Sequence, residues 1–181
     1  MQRRPLALLL FAALALGVAG CGAGGAIQGA IDGVGGGSGG GGGGSPAGAA
    51  MSAAERAWAL SVLDLVNTER GKAGAPPLAW HEAASQVAYA HAVDMDVRNF
   101  FAHDNPDGLD PGARLAAAGI VGHGWGENIA QGQPDPASVM ADWMTSDGHR
   151  ANILNPAYAS LGVGVHVGAG GPWWVQDFLT P

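Results

Sequence analysis

One cysteine, Cys21, stands in 181 residues. No internal disulfide can form, so any folded part must hold together on its apolar core. Basic residues are also scarce, with eight Lys and Arg against fifteen Asp and Glu and a net charge of −7. An acidic chain repels phosphate backbones, and Arg56, Arg70, Lys72, Arg98, Arg114 and Arg150 are scattered rather than bunched, which disfavours nucleic acid as a partner. Conventional catalytic signatures are missing as well. "HEAAS" at 81–85 places Ser85 where a zinc-protease helix needs its second histidine. There is no G-x-S-x-G elbow for a hydrolase serine. "HDNPDGLDPGAR" imitates a calcium loop around Gly108, but the count puts His103 at the first ligand position and Arg114 where a bidentate glutamate belongs. No internal repeat is visible.

What the chain does have begins with Arg3 and Arg4 ahead of the apolar run "LALLLFAALALGVAG", which reads as an export signal over residues 1–20, too short to span a bilayer comfortably as a permanent helix. The phrase "VAGC" resembles the bacterial lipobox, which implies that Cys21 becomes a lipid-bearing N-terminus; an ordinary secretory signal with a leftover thiol is the alternative. On the lipoprotein reading the membrane is reached through acyl chains on Cys21, each buried CH₂ contributing about 0.8 kcal/mol. Residues 21–50 carry that cysteine and a stretch that is about half glycine, a composition whose backbone entropy opposes folding. As a flexible coil it would hold a globule roughly 30 Å from its anchor. All six tryptophans, at 58, 80, 125, 143, 173 and 174, follow it. The folded part is therefore expected over residues 51–181, as one monomeric domain. Loss of the signal leaves six basic and fifteen acidic residues, a net charge of −9.

Within that domain, Ser52 with Glu55 three residues on opens a helix to Lys72, with Trp58, Val62, Leu65 and Val66 on one face. A second helix is expected from about His81 to Phe100, with His91 inside its apolar stripe as a core histidine whose nitrogens are satisfied by neighbours. Pro111 and Gly119 bound a short helix, "GENIAQG" is extended, and Asp135 to Ser146 is helical again. "DGHRANILN" turns into a further helical stretch, and "LGVGVHVG" with "PWWVQDFL" reads as an antiparallel hairpin. Helices first and strands last point to an α+β domain with helices over an antiparallel sheet.

The chemistry-bearing residues form a constellation rather than one motif: His103 past the second helix, Glu127 in a glycine-flanked strand, and His149 at the start of a later helix. The phrases around them, "FFAH", "GENIA", "W-M-x-S-x-G-H-R-x-N-I-L", "GVGV" and "WWVQDF", resemble the bacterial branch of the CAP superfamily, named for cysteine-rich secretory proteins, antigen 5 and pathogenesis-related class 1 proteins. That resemblance implies a three-layer α-β-α sandwich with a central antiparallel sheet and a cavity of two histidines and two acids. By motif, His103 and His149 are the histidines and Glu127 the first acid. In the fourth place many members have glutamate three residues after the helix tryptophan, whereas this chain has Ser146 after Trp143, with Asp147 next.

Two imidazoles and a carboxylate suit zinc with water in the open position. The same three side chains could instead hydrogen-bond one another and fasten helices to sheet. Arg150 and Asn152 read as loop ties. His81, His123 and His166 read as solvent-exposed, His123 near the cavity rim. Phe100 and Phe101 are expected to pack the second helix into the core while His103 turns into the cleft, and "DNPDG" is expected to be a turn. Three functions fit: a membrane-anchored extracytoplasmic module binding a small apolar molecule, peptide or cell-wall fragment, with or without zinc; a metal-dependent hydrolase or protease with Glu127 as base; or a structural envelope protein.

Overall fold

The computed structural model describes residues 50–181. The expected signal segment, Cys21 with its lipid, and the glycine-rich tether up to residue 49 lie outside the described residues.

Nine elements follow in order: α1 (Ala53–Lys72), β1 (Ala79–Trp80), α2 (Glu82–Val97), α3 (Pro111–Ala117), β2 (Trp125–Gln131), α4 (Pro136–Thr145), α5 (Asp147–Leu154), β3 (Ser160–Gly168) and β4 (Gly171–Leu179). The helix starts follow from their caps. The Ser52 hydroxyl accepts from the Glu55 N–H while the Glu55 carboxylate accepts from the Ser52 N–H, a complete capping box. Asp110 and Asp135 cap α3 and α4 ahead of Pro111 and Pro136, where proline fits the first turn because no backbone donor is needed there.

The second helix stops three residues short of Phe100. Asn99 adopts the left-handed conformation, φ 53°, so the Phe100 N–H turns back to the Met95 carbonyl at 3.0 Å and the Asn99 N–H to that of Asp96 at 3.3 Å. Phe100 then packs with Met95 in the core, while Phe101, expected beside it, is 43% exposed and only edges against Trp173. The reason is the left-handed turn: it sends one phenylalanine inward and the next along the surface.

The strand order is β1-β3-β4-β2. The three long strands are antiparallel, as expected, with Glu127 opposite Asp177 and Asn128 opposite Gln176 across β2 and β4. The sheet is nonetheless mixed, because β1, which the sequence did not signal, adds a two-residue parallel edge beside β3. Alternation along the strands divides the core into layers. Leu161, Val163, Val165, Trp174 and Phe178 pack with Val62, Val66, Met140, Trp143 and Ile153 of α1, α4 and α5. On the opposite face Val175, Trp173 and Ile129 pack with Ala88, Ala92 and Met95 of α2. The result is the three-layer sandwich.

Small residues let α2 lie almost directly on the sheet. A Cβ at Gly162 would collide with the backbone of Ala84 and Ser85, and one at Gly164 with the backbone of Ala88 and Tyr89. Gly164→Ala is expected to push α2 off β3 and to lower unfolding free energy by about 3 kcal/mol, the upper part of the usual overpacking range. Urea denaturation checks it, since a variant unfolding at the wild-type midpoint would show that the helix has room to yield.

Candidate binding cleft

β2 is an edge strand, so side chains from both helical layers can meet around it. His103 reaches it from the loop after α2. Its Nδ1 lies 2.7 Å from Glu127 Oε1, with the ring about half exposed and the carboxylate almost fully buried. A carboxylate cannot donate, so Nδ1 carries the proton and Nε2 is left free. His149 comes from the first turn of α5. Its backbone carbonyl accepts from Asn128 Nδ2 at 3.1 Å, and Asn152 of the same helix donates to Asn128 Oδ1 at 2.9 Å and to the Glu127 carbonyl at 3.2 Å. Burial, and secondarily the nearness of His103, hold the His149 ring below the ordinary histidine pKa and therefore neutral.

His103, Glu127 and His149 thus occupy one region of the molecule. They do not form a ready three-ligand cage: among the described residues no three His, Cys, Asp or Glu side chains are grouped to hold a metal ion. Glu127 explains why. Oε1 is taken by His103, and Oε2 by Arg114 Nη2 at 2.5 Å in a pair that is almost wholly buried. The donor set that fits zinc is the two imidazoles alone, with Glu127 orienting His103 from behind.

Asp147 does not complete the cluster. Its side chain is 93% exposed and pairs with Arg150, as expected of a loop tie. Ser146 precedes α5 without a side-chain cap hydrogen bond. The second buried acid is Asp177 of β4, opposite Glu127 in register and 1% exposed. Burial first, then the Glu127 charge, drive its pKa well above the usual carboxylate range, with Arg114 pulling the other way. Sequence reasoning missed both Arg114 and Asp177. Asp177 left one trace, an acid inside the apolar run "WWVQDFL" in phase with the inward-facing Trp173 and Val175. Arg114 left none.

The other histidines differ in their settings. His91 is buried as expected, and its Nε2 donates to the Ala102 carbonyl at 3.0 Å, but its Nδ1 has no hydrogen-bond partner. Burial holds its pKa down. As pH falls through the unfolded histidine value of about 6.5, unfolded chains take up protons that folded His91 and His149 refuse, so stability falls toward acid. His123 is exposed and bonds the Thr180 carbonyl. His81 is partly buried, its Nδ1 capping α2. His166 of β3, expected in solvent, is instead partly buried, its Nε2 3.1 Å from Asp96, because Asp96 at the end of α2 and Glu55 in α1 converge on that strand. "DNPDG" is a turn, its Asn105 Oδ1 accepting from the Asp107 and Leu109 N–H groups and Gly108 at φ 77°.

A surface hollow of about 450 Å³ is lined by Leu115 of α3 and by Ile120, Val121, His123 and Trp125 among others. None of His103, Glu127 or His149 lines it.

This combination of an α-β-α sandwich with imidazoles and a buried carboxylate at an edge strand agrees with what comparison finds. The Cysteine-rich secretory protein family, CAP, matches residues 63–178. The Bacillus subtilis protein YkwD is 41% identical over 123 residues, covering 68% of this chain and 47% of its own length. The Bacillus subtilis membrane protein YlbC is 36% identical over 118 residues, covering 65% and 33%. An extracellular protein of Bacillus anthracis containing an SCP domain, solved by crystallography, superposes with a TM-score of 0.67 at 31% identity, over 74% of this chain and 45% of that one. The chain belongs to the CAP family, and it spans less than half the length of each of these relatives. No described helix is long and apolar enough to cross a membrane.

Proposed function

We propose that the protein is an exported binding module, anchored to the envelope by lipid on Cys21 and carried on its glycine-rich tether, whose cleft takes a zinc ion on His103 and His149 with a peptide or cell-wall fragment beside it. The observation that carries this is the His103 to Glu127 hydrogen bond at 2.7 Å, which commits Nδ1 and leaves Nε2 free near the neutral imidazole of His149. Zinc, when bound, supplies a Lewis-acidic centre that polarises an oxygen ligand. The chain's own part is to hold the His103 ring oriented through Glu127 and the His149 ring neutral through burial. Export and membrane attachment draw support from relatives described as extracellular and as a membrane protein.

Hydrolysis with Glu127 as base is less well supported. Both of its oxygens are already engaged, Oε1 by His103 and Oε2 by Arg114, so neither is aimed at a water in the cleft.

Zinc at a hundred times its dissociation constant is expected to stabilise the wild-type chain by about 2.7 kcal/mol and to leave His103→Ala and His149→Ala unchanged. Thermal melting with and without zinc measures this. If zinc does nothing to the wild type and both variants simply melt earlier, the imidazoles are fasteners and the binding role is lost.

A further inference from the structure

We propose that Asp177 is a positioning residue of this cleft: as a neutral carboxyl it donates a hydrogen bond to Glu127 and thereby holds Glu127 to receive the Nδ1 proton of His103. The proposal rests on the reading of His103 as the outward-facing imidazole. Its geometric basis is the register of β2 and β4, which sets Glu127 directly opposite Asp177 on the face covered by α2 and α3. Both Asp177 oxygens are buried without a donor. An ionised carboxylate there would be a bare charge in an apolar layer, costing far more than a hydrogen-bonded neutral acid.

The titratable and charged groups around it are few. Arg114 of α3 directs Nη2 to Glu127 and Nη1 to the carbonyls of His103 and Leu109, and its Nε is buried without a partner, so no Arg114 donor is bonded to Asp177. His91 of α2 donates its one proton to Ala102. Glu127 is the remaining partner, and each of its oxygens has a second lone pair free after His103 and Arg114 are counted. A proton on Asp177 gives one of its oxygens a partner in Glu127 and removes the bare charge. Glu127 then accepts from three sides and cannot swing away from His103. The acid that the helix after β2 does not supply is thus supplied by the sheet.

The test uses the full chain free of metal and added ligand. Infrared difference spectra at neutral pH between wild type and Asp177→Asn are expected to show a protonated-carboxyl C=O band in the wild type that the variant lacks. Nitrogen-15 NMR is expected to find His103 with its proton on Nδ1 in the wild type and in Asp177→Asn, whose amide can still donate. In Asp177→Leu, similar in size without a donor, that Nδ1 proton signal is lost and the ring drifts to the Nε2–H form. Absence of the carboxyl band, or an unchanged His103 tautomer in folded Asp177→Leu, overturns the proposal; should Asp177→Leu not fold, the infrared comparison still decides it. A wild-type His103 already carrying its proton on Nε2 would instead refute the reading of the cleft on which this builds.

Discussion

Glu127→Ala is expected to lower the unfolding free energy by about 3–5 kcal/mol, the range found when one member of a buried ion pair is removed. The loss comes less from the missing attraction than from what stays behind. Arg114 remains nine-tenths buried with its Nη2 donors unpaired, and His103 loses the acceptor that sets its tautomer. For a folded part of this size the melting temperature should drop by roughly 10–20 °C. The double variant Glu127→Gln, Arg114→Met leaves neither charge stranded and should recover more than half of the loss. Urea denaturation of the three chains gives the comparison; if the double variant costs as much as Glu127→Ala, the pair is not the unit argued here.

The second large effect is expected at Arg70→Met. Arg70 is fully buried, and its guanidinium reaches the carbonyls of Pro76 at 2.7 Å, Ile153 and Asn155 at 2.8 Å, and Tyr158 at 3.3 Å. One side chain thus satisfies the chain after α1 and the C-terminal end of α5. Methionine fills much of the volume and supplies no donor, so four carbonyls are stranded at roughly 1–3 kcal/mol each, partly relieved by water. A net loss of about 3 kcal/mol or more is expected. Arg70→Lys should recover less than half, because an ammonium cannot span the same fork. The zinc-dependent rise in melting should shrink too, since α5 carries His149. A variant as stable as the wild type would show that these carbonyls find other partners.

Neither arginine could be singled out from the chain alone. Their sequence neighbourhoods are unremarkable, and their partners lie up to 88 residues away, so only the closed fold reveals them as buried. The helices were readable because their signals are local: Ser52 and Glu55 three apart, Pro111 and Pro136 in first turns. The end of α2 was misplaced since Asn99 turns left-handed where the apolar stripe continues into Phe100. Sheet order was legible for the β3 and β4 hairpin, where a short glycine-rich turn forces pairing, and not for β1, whose two residues carry no period. For the cleft, phrases flanking His103, Glu127 and His149 carried their positions. Asp177 and Arg114 escaped because burial of a lone charge depends on which strand becomes its neighbour.

Asn152 has a bearing beyond the cleft. By donating to the Glu127 carbonyl it occupies an acceptor on the outer border of β2, and α5 lies alongside that border. With that acceptor occupied and α5 alongside, this stretch of β2 is a poorer template for another chain to add as an extra strand. The contact that seats His149 thus also shields part of the β2 border from edge-to-edge pairing.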